Sequence, residues 1–309
     1  MAKETNKITK MPLEEMKNLI IARGGIRPAA ESLGVHHSAI QGYLSTRKTN
    51  LADIMFEYQQ QIAPHLLETR EHIEGDCIVS ADYHSPFVSL DWLERLLEVS
   101  RKEGIKQLLI AGDFFDFDRL SWWLKMAQAE EMATKLDDEF AFSEMVLERL
   151  EEWFDKIYLL GGNHWRRLLK SITYTVSSDR LMGLVGRKND KRYVNIEYFD
   201  WILIDKKVRV THPAKARKLD YTLARDLSIL FPNQWLVVAH RHRVNEGFTP
   251  DGRPMLEIGW MGDTNRMRYI QHVDSTYYRW INGFGVYKNG QLKNITEYNY
   301  DWDKITNKP

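Results

Sequence analysis

The stretch Leu236-Val237-Val238-Ala239-His240-Arg241-His242 is an apolar run that ends in two histidines, one residue apart. An apolar run of this length predicts a buried β-strand. Side chains two positions apart in an extended segment point the same way, so His240 and His242 can reach one common object. Imidazole is a common metal ligand, and a metal ion is therefore the first candidate for that object.

Four other apolar runs of strand length precede this one, and polar residues follow each of them. The five runs are Cys77–Ala81, Gln107–Ala111, Ile157–Leu160, Val208–Val210 and Trp235–Ala239. The residues that follow the first four are Asp82-Tyr83-His84, Gly112-Asp113-Phe114-Phe115-Asp116, Gly161-Gly162-Asn163-His164 and, after Thr211, His212. Ligand sites gather at the carboxyl ends of strands in open α/β sheets, so we expect these polar side chains in one cleft.

Helical patterns separate the predicted strands. The stretch Ser89–Glu103 carries leucines on one stripe, and a longer charged helical region covers about residues 120–154. Strands that alternate with helices indicate an α/β domain. Residues 255–300 are rich in tyrosine and tryptophan and contain Lys288-Asn289-Gly290-Gln291, which predicts a hairpin that completes a sheet.

Each polar residue at a strand end has an ordinary interpretation when it is taken alone. An aspartate after a strand commonly forms a turn, and a single histidine is commonly a core or surface residue. An Asn-His pair after two glycines can cap a helix. The ordered combination at five strand ends favours one shared site over five independent turns.

The ordered set Asp-x-His, Gly-Asp-x-x-Asp, Gly-Asn-His, His and His-x-His closely resembles the motifs of the calcineurin-like metallophosphoesterase superfamily. The resemblance covers roughly residues 76–245. It implies an α/β fold, a layered β-sandwich flanked by helices. In front of it, the pattern of residues 1–50 predicts a small all-α helix-turn-helix-like domain. The resemblance also implies a metal-dependent phosphoesterase, that is, a hydrolase.

The resemblance implies a site with two divalent metal ions. Asp82, His84 and His242 would bind the first ion, and Asn163, His212 and His240 the second; Asp113 would bridge both. A hydroxide bridging the ions would attack phosphorus. Mixed oxygen and nitrogen ligands favour Mn²⁺, with Fe or Zn²⁺ as alternatives.

Two further residues match positions of the same motifs. His164 matches the family position that stabilises the transition state or protonates the leaving oxygen. Asp116 is expected to support ligands or its loop without binding metal itself. The chain departs from the family pattern at Trp165, where an acid is usual, and at Ala239, where a glycine is common. Neither departure removes a ligand, but both leave the substrate class open.

Composition is that of an ordinary globular protein. The chain has 309 residues, 43% hydrophobic, with 43 basic and 43 acidic residues and a single cysteine, Cys77. A single cysteine excludes an intramolecular disulfide and suits a reducing compartment. No apolar run approaches the roughly 20 residues that a membrane helix needs, and the N-terminus lacks the apolar core of a signal peptide. We therefore expect a cytoplasmic protein that does not bind membranes.

Residues 1–50 differ from the rest, with eight Lys or Arg against four Glu and short helical patterns. Pro28 suits a first helical turn and Gly34 a left-handed helix end, which predicts a helix-turn-helix-like domain. DNA contacts are expected from the second helix and the residues after it: His36, His37, Ser38, Gln41, Arg47 and Lys48. The alternative is a helical bundle for oligomerisation or packing. A helical linker, residues 51–75, with a helix from Leu51 to His72, would precede a catalytic domain at 76–309.

Three features favour DNA as the substrate, cleaved by a nuclease that resembles the repair nucleases of the superfamily. They are the N-terminal domain, aromatic residues near the ligands (Phe114, Phe115, Trp122, Trp123 and Trp165), and arginines around the cleft (Arg119, Arg166, Arg167, Arg241, Arg243, Arg266 and Arg268). Trp165, Arg166 and Arg241 are the expected substrate contacts.

Two other functions and the oligomeric state stay open. The chain could be a small-molecule phosphatase or nucleotide phosphodiesterase whose N-terminal domain serves assembly or regulation. It could also be a DNA-binding regulator on an inactive scaffold, although the intact ligand set argues against this. The resemblance makes a homodimer plausible.

Overall fold

A computed structural model describes residues 8, 10–23, 26–49, 51, 54, 72–121, 133–171, 181–187, 189–196, 200–213, 222–267, 270 and 279–302. The chain divides into two compact units, residues 1–70 and 71–309. Most of the predicted linker helix, Trp122, Trp123 and Arg268 lie outside the described residues. The predicted linker helix does not extend to His72, because His72 belongs to a β-strand.

The described part of the N-terminal unit includes three short helices, α1 (Leu13–Ala22), α2 (Ile26–Leu33) and α3 (His37–Thr46). Gly34 ends α2 with a φ of +68°, and the Val35 main-chain N–H donates to the Ala30 carbonyl at 3.0 Å, the hydrogen bond of a Schellman turn. The helices bury one small apolar core, formed by Ile8, Met16, Ile20, Ala29, Ala30, Ile40, Tyr43, Leu44 and Ile54.

The predicted DNA contacts lie around α3. His36 precedes the helix, and its Nδ1 accepts from the Ser38 main-chain N–H at 3.4 Å. The Arg47 guanidinium lies 3.7 Å from the centre of the Tyr43 ring. His37 is half-buried and the other predicted contacts are exposed: His36, Ser38, Gln41, Arg47 and Lys48.

The first sheet of the second unit has the order β12-β11-β2-β3-β4-β5. Its strands are β2 (Cys77–Ser80), β3 (Gln107–Ala111), β4 (Lys156–Leu160), β5 (Tyr193–Ile196), β11 (Gly283–Lys288) and β12 (Gln291–Thr296). Strands β2 to β5 are parallel, and β11 is antiparallel to both of its neighbours. The carboxyl ends of β2, β3 and β4 therefore lie at one edge of this sheet.

The second sheet has the order β1-β6-β7-β8-β10-β9. Its strands are β1 (His72–Ile73), β6 (Trp201–Ile204), β7 (Val208–Thr211), β8 (Trp235–Val238), β9 (Asn245–Phe248) and β10 (Pro254–Glu257). Strand β8 is parallel to β7 and to β10, so β7 and β8 also end at a common edge.

Alternating side chains of the two sheets build a sandwich. Val79, Leu109 and Ala111 of the first sheet belong to one core with Val210 and Val237 of the second. The opposite side chains of the first sheet pack with helices α4 (Leu90–Glu103) and α5 (Leu136–Glu151). Helix α7 (Thr222–Leu230) packs on β8 and β10. The remaining helix, α6 (Asn163–Ser171), begins three residues after β4.

The predicted fold class is confirmed. All five predicted strands are present, and the Asn289-Gly290 turn joins β11 to β12 as expected. The predicted helix at residues 89–103 is α4, with Ser89 as its N-cap. In the described part of the charged region 120–154, residues 136–151 form helix α5, and residues 118–120 just before the region form a 3₁₀ turn. None of the described helices has the length and apolarity that crossing a membrane requires.

Candidate metal centre

Five of the seven predicted metal ligands lie in left-handed backbone conformations. Their φ angles run from +47° to +80°, at Asp82, His84, Asp113, His240 and His242. Non-glycine residues rarely occupy this region, and each such conformation costs on the order of 1–3 kcal/mol, so it persists only where the surrounding structure enforces it. Each follows the end of a strand, so the backbone reverses there and the side chain turns into the space between the loops.

The three ligands predicted for the first metal converge. The Nε2 atoms of His84 and His242 are 3.0 Å apart. Asp82 Oδ1 lies 3.2 Å from His242 Nε2 and 3.8 Å from His84 Nε2. All three side chains are buried, and their possible ligand atoms lie within 4.8 Å of one another.

A second cluster contains Asp113, His212 and His240, again with possible ligand atoms within 4.8 Å of one another. His212 Nε2 lies 3.4 Å from Asp113 Oδ2 and 3.1 Å from Asp82 Oδ1, so Asp82 and His212 connect the two clusters. The His240 main-chain N–H donates to Asp82 Oδ2 at 3.0 Å.

Glycines make room for these side chains. A Cβ on Gly112 would overlap the His212 ring, and one on Gly162 would overlap the Asp113 carboxylate. Gly112 also has a φ of +94°. The Gly-Asp and Gly-Gly-Asn-His motifs therefore need these glycines for close packing inside the site.

Two buried oxygens fit a metal centre. Asp113 Oδ2 and Asn163 Oδ1 are inaccessible to solvent and have no hydrogen-bond partner among the described residues. Buried polar atoms in native proteins are almost always paired, and oxygens of carboxylate and amide groups beside two ligand clusters are suited to bind a cation. These are the predicted bridging carboxylate and the predicted amide ligand of the second metal, and the residues present therefore fit two divalent ions.

Asp116 holds two imidazole rings. Its Oδ1 lies 2.8 Å from His84 Nδ1 and 2.9 Å from His164 Nδ1, and its main-chain carbonyl lies 2.7 Å from His164 Nδ1. A proton on His84 Nδ1 leaves Nε2 with a lone pair that points at the first cluster. This is the usual way in which a carboxylate orients a metal-binding histidine, and it matches the supporting role predicted for Asp116.

Charge in the cluster favours ionised carboxylates. Burial opposes ionisation, but the neighbouring histidines outweigh it and hold the pKa of both Asp82 and Asp113 well below the ordinary value. Burial, reinforced by His212, lowers the pKa of His240 to about 4. For His212, burial opposes the charge, yet Asp113 and Asp82 prevail and raise the pKa to about 10. A metal must therefore displace the His212 proton.

Sequence patterns missed Glu139 on α5. Its Oε1 accepts from the main-chain N–H groups of Asp116 at 3.0 Å and Phe117 at 2.8 Å, and so holds the loop that carries Asp116. Burial raises the pKa of Glu139 to about 9, which keeps it protonated at neutral pH. Its neighbours Asp137 and Asp138 are exposed acids of the same helical turn, so the sequence contains no signal that separates Glu139 from them.

Sequence patterns also missed an aromatic wall around His242. The indole of Trp260 stacks on the His242 ring with centroids 5.1 Å apart and an interplanar angle of 12°. Trp280 meets the same ring edge-on at 4.2 Å. His242 Nδ1 has no hydrogen-bond partner among the described residues, so aromatic packing holds this ring where a hydrogen bond holds His84.

The residues predicted to contact substrate have different surroundings. Trp165 is half-buried, with its ring 5.4 Å from that of Phe115. Arg166 forms an ion pair with Asp200. Arg241, predicted to contact substrate, is instead buried and pairs with Glu257 at 3.3 Å, an ion pair inside the fold. Phe114 and Phe115 are core residues and are too buried to stack on bases.

A narrow cleft, with a cavity volume of about 20 Å³, borders the centre. Asp113, Gly162 and Trp165 line it on the side of the metal ligands, and Asn195 and Ile196 at the end of β5 line it on the other side. The cleft therefore connects the predicted bridging carboxylate with an indole ring.

Replacing Gly162 by alanine tests the close packing. The new Cβ would overlap the Asp113 carboxylate and main-chain nitrogen, so we expect the ligand to shift, the chain to bind fewer than two metal ions, and turnover to fall by about a hundredfold. Gly161→Ala is the matched control, since its nearest new contact is Trp165 Cδ1 at 3.9 Å. Full metal content in Gly162→Ala, measured by elemental analysis, would contradict the assignment of Asp113.

Glu139→Gln tests the buried acid. Folding raises the pKa of Glu139 from 4.5 to about 9, so its contribution to stability is complete below pH 4.5 and is lost as the pH rises towards 9. Glutamine keeps the accepting oxygen but has no proton to lose. We expect the unfolding free energy of Glu139→Gln, relative to the parent, to increase by about 1.4 kcal/mol per pH unit in this range. Asp138→Asn changes the adjacent, exposed acid and should show no such dependence of stability on pH. If chemical denaturation gives the same pH trend for both variants, the role of the buried Glu139 proton is refuted.

Comparison with known proteins agrees with this geometry. A family model described as calcineurin-like phosphoesterase matches residues 77–293. None of the curated proteins matches the chain. Similar solved structures include the phosphoesterase Yfce of E. coli, with 17% identity over 72% of this chain and 92% of its own and a TM-score of 0.37. A hypothetical protein of Pyrococcus horikoshii OT3 has 14% identity over 75% of this chain and 90% of its own, with a TM-score of 0.43.

The family match covers the strands, loops and clusters that form the centre. It begins at Cys77, the first residue of β2, and ends at Lys293 in β12, so all seven predicted ligands lie inside it. The chain therefore belongs to the calcineurin-like phosphoesterase family.

Proposed function

We propose that this chain hydrolyses phosphodiester bonds in DNA, with two divalent metal ions, Mn²⁺ first among the candidates. One observation supports the catalytic part above all others: Asp113 Oδ2 and Asn163 Oδ1 are buried without hydrogen-bond partners among the described residues, beside two clusters of imidazoles and carboxylates. Family membership supports phosphoester hydrolysis, and DNA as the substrate rests on other features of the chain.

The residues of the centre have different roles. When bound, two divalent cations would activate water and neutralise charge on the phosphoryl oxygens. Asp82, His84 and His242 would hold one ion, Asn163, His212 and His240 the other, and Asp113 would contact both. Asp116 keeps His84 in the tautomer that ligates, and the buried glycines let the ligands approach closely. His164 Nε2 lies 3.7 Å from Asp113 Oδ2, so a phosphoryl group bound at the predicted metals would lie near this imidazole.

The N-terminal unit supports DNA as the substrate. Helix α3 follows a tight turn after α2 and presents Ser38 and Gln41 to solvent, with Arg47 and Lys48 just beyond its end. Small polar side chains on a helix can reach base edges, and lysine or arginine at its end can reach phosphates. The homodimer that the resemblance suggests stays a prediction.

A second candidate is a nucleotide phosphodiesterase or small-molecule phosphatase, in which the N-terminal unit serves assembly or regulation. The position of Trp165 in the cleft beside Asp113 supports it. Trp165 on one wall could stack on a base. Phe114 and Phe115 are buried, so fewer aromatic rings are exposed to stack on the bases of a long single-stranded substrate.

Cleavage of labelled single- and double-stranded DNA with Mn²⁺, beside bis(p-nitrophenyl) phosphate, separates the two candidates. Asp113→Asn should reduce hydrolysis of every substrate by at least about a hundredfold, because one carboxylate serves both ions. Asp91→Asn, on the exposed face of α4, is the control. Hydrolysis of the small diester without DNA cleavage would reject the nuclease and support the second candidate.

Lys48→Ala tests the N-terminal contact. Loss of one phosphate contact should weaken binding of all DNA sequences alike and reduce the slope of log K against log salt by about 1. Binding is measured by fluorescence anisotropy with the full-length chain, and hydrolysis of bis(p-nitrophenyl) phosphate should not change. Glu31→Ala, an exposed residue of α2, is the control. An unaltered salt slope would remove Lys48 from the DNA interface.

A further inference from the structure

Arg167 lies on helix α6, one turn after His164, and its guanidinium makes two hydrogen bonds at the metal centre. Its Nη2 lies 2.8 Å from His164 Nε2, and its Nη1 donates to the main-chain carbonyl of Asp116 at 3.1 Å. Residues three apart on a helix share one face, so α6 presents both side chains to the same space. The guanidinium is half-buried.

These contacts fix the roles of the His164 nitrogens. A guanidinium N–H can only donate, so His164 Nε2 accepts. The His164 Nδ1 atom faces the Asp116 carbonyl at 2.7 Å and therefore donates. A ring that accepts at Nε2 cannot donate a proton from the same atom, so in this arrangement His164 orients Arg167.

The positive charge of Arg167 is less balanced by protein groups than that of its neighbouring arginines. Arg166 pairs with Asp200 and Arg241 with Glu257, which neutralises both. Arg266 donates to the Val88 carbonyl and lies over the Phe142 ring. In the part of the chain that the structure describes, Arg167 pairs with no carboxylate, and its two protein partners are an imidazole nitrogen and a carbonyl oxygen.

The position suits a phosphoryl group. His164 Nε2 lies 3.7 Å from Asp113 Oδ2, the buried oxygen without a hydrogen-bond partner among the described residues. The same nitrogen contacts Arg167, so Arg167 lies close to the carboxylate that is predicted to bridge the metals. Arginine's planar fork matches two oxygens of a phosphate, and a guanidinium fixed before the reaction costs little reorganisation during it.

We propose that Arg167 is a catalytic residue that binds a non-bridging oxygen of the substrate phosphoryl group, and that His164 and the Asp116 main chain position it. This assignment rests on the proposed phosphoester hydrolysis and is independent of whether the substrate is DNA. Trp165 takes no part in it.

The test uses full-length, metal-loaded protein and the variants Arg167→Ala and Arg167→Lys, with Arg225→Ala, an exposed arginine of α7, as the control. Arg167→Ala should keep the metal content of the parent. Its kcat for bis(p-nitrophenyl) phosphate should fall by about 10²–10³-fold, as for loss of one transition-state donor. Arg167→Lys should recover part of the loss, since lysine supplies charge without the fork.

Two further readouts separate a catalytic from a structural role. Added guanidinium ion should restore part of the activity of Arg167→Ala, and inorganic phosphate should bind at least about tenfold more weakly to that variant than to the parent in calorimetry. The double variant His164→Ala/Arg167→Ala should be no less active than the less active of the two single variants, because both side chains act through one contact.

The outcomes are distinct. Unchanged kcat and phosphate affinity in Arg167→Ala would overturn the proposal, and so would loss of metal from that variant, which would show a structural role. If the parent hydrolyses no phosphoester, the proposed function fails, while the difference in phosphate affinity between the parent and Arg167→Ala still decides whether Arg167 binds the phosphoryl group.

Discussion

Two carboxylates, Asp82 and Asp113, lie fully buried among imidazoles at the ends of strands β2 and β3. A buried charge is expensive unless partners surround it, and here His242 and His212 face Asp82, while His164 and His212 face Asp113. Within the described residues these contacts leave Asp113 Oδ2 without a hydrogen bond. The loops, the glycines and the supporting acids of the structure all serve to keep these two carboxylates in place for cations.

Support for the centre comes from several directions. The strained backbone at the ligands turns the side chains inward, and Gly112 and Gly162 leave space where a methyl group would collide with His212 or Asp113. Asp116 fixes His84 by hydrogen bonding, whereas Trp260 and Trp280 fix His242 by packing. Glu139 accepts hydrogen bonds from the main-chain N–H groups of Asp116 and Phe117 and so holds the loop that carries Asp116. Each support removes freedom from a ligand before a metal binds, and this preorganisation favours tight and specific coordination.

The arginines show how the surroundings of a side chain decide its role. The sequence places Arg166, Arg167 and Arg241 near ligand motifs, and it favoured Arg166 and Arg241 as substrate contacts. In the structure Arg241 is buried against Glu257 and Arg166 pairs with Asp200, so their charges are already balanced. Arg167 instead contacts His164 and a carbonyl, which leaves its net charge available to an anion. The number of basic residues around a cleft is therefore larger than the number that is available to bind a phosphate.

The sequence by itself determined the five strands, the order of their polar ends and the family, because local apolar runs and residue spacing are written directly in the chain. It also predicted the Asn289-Gly290 hairpin and the left-handed end of α2 at Gly34, since turn chemistry is local. Only the tertiary structure decided which atoms meet: the unpaired Asp113 Oδ2, the Trp260 and Trp280 packing on His242, the buried Glu139, and the core positions of Phe114 and Phe115. These depend on contacts between residues far apart in the chain, from 18 positions for His242 and Trp260 to 99 positions for Asp113 and His212. Burial and pairing of that kind follow from how the two sheets and their helices pack, which no local pattern encodes.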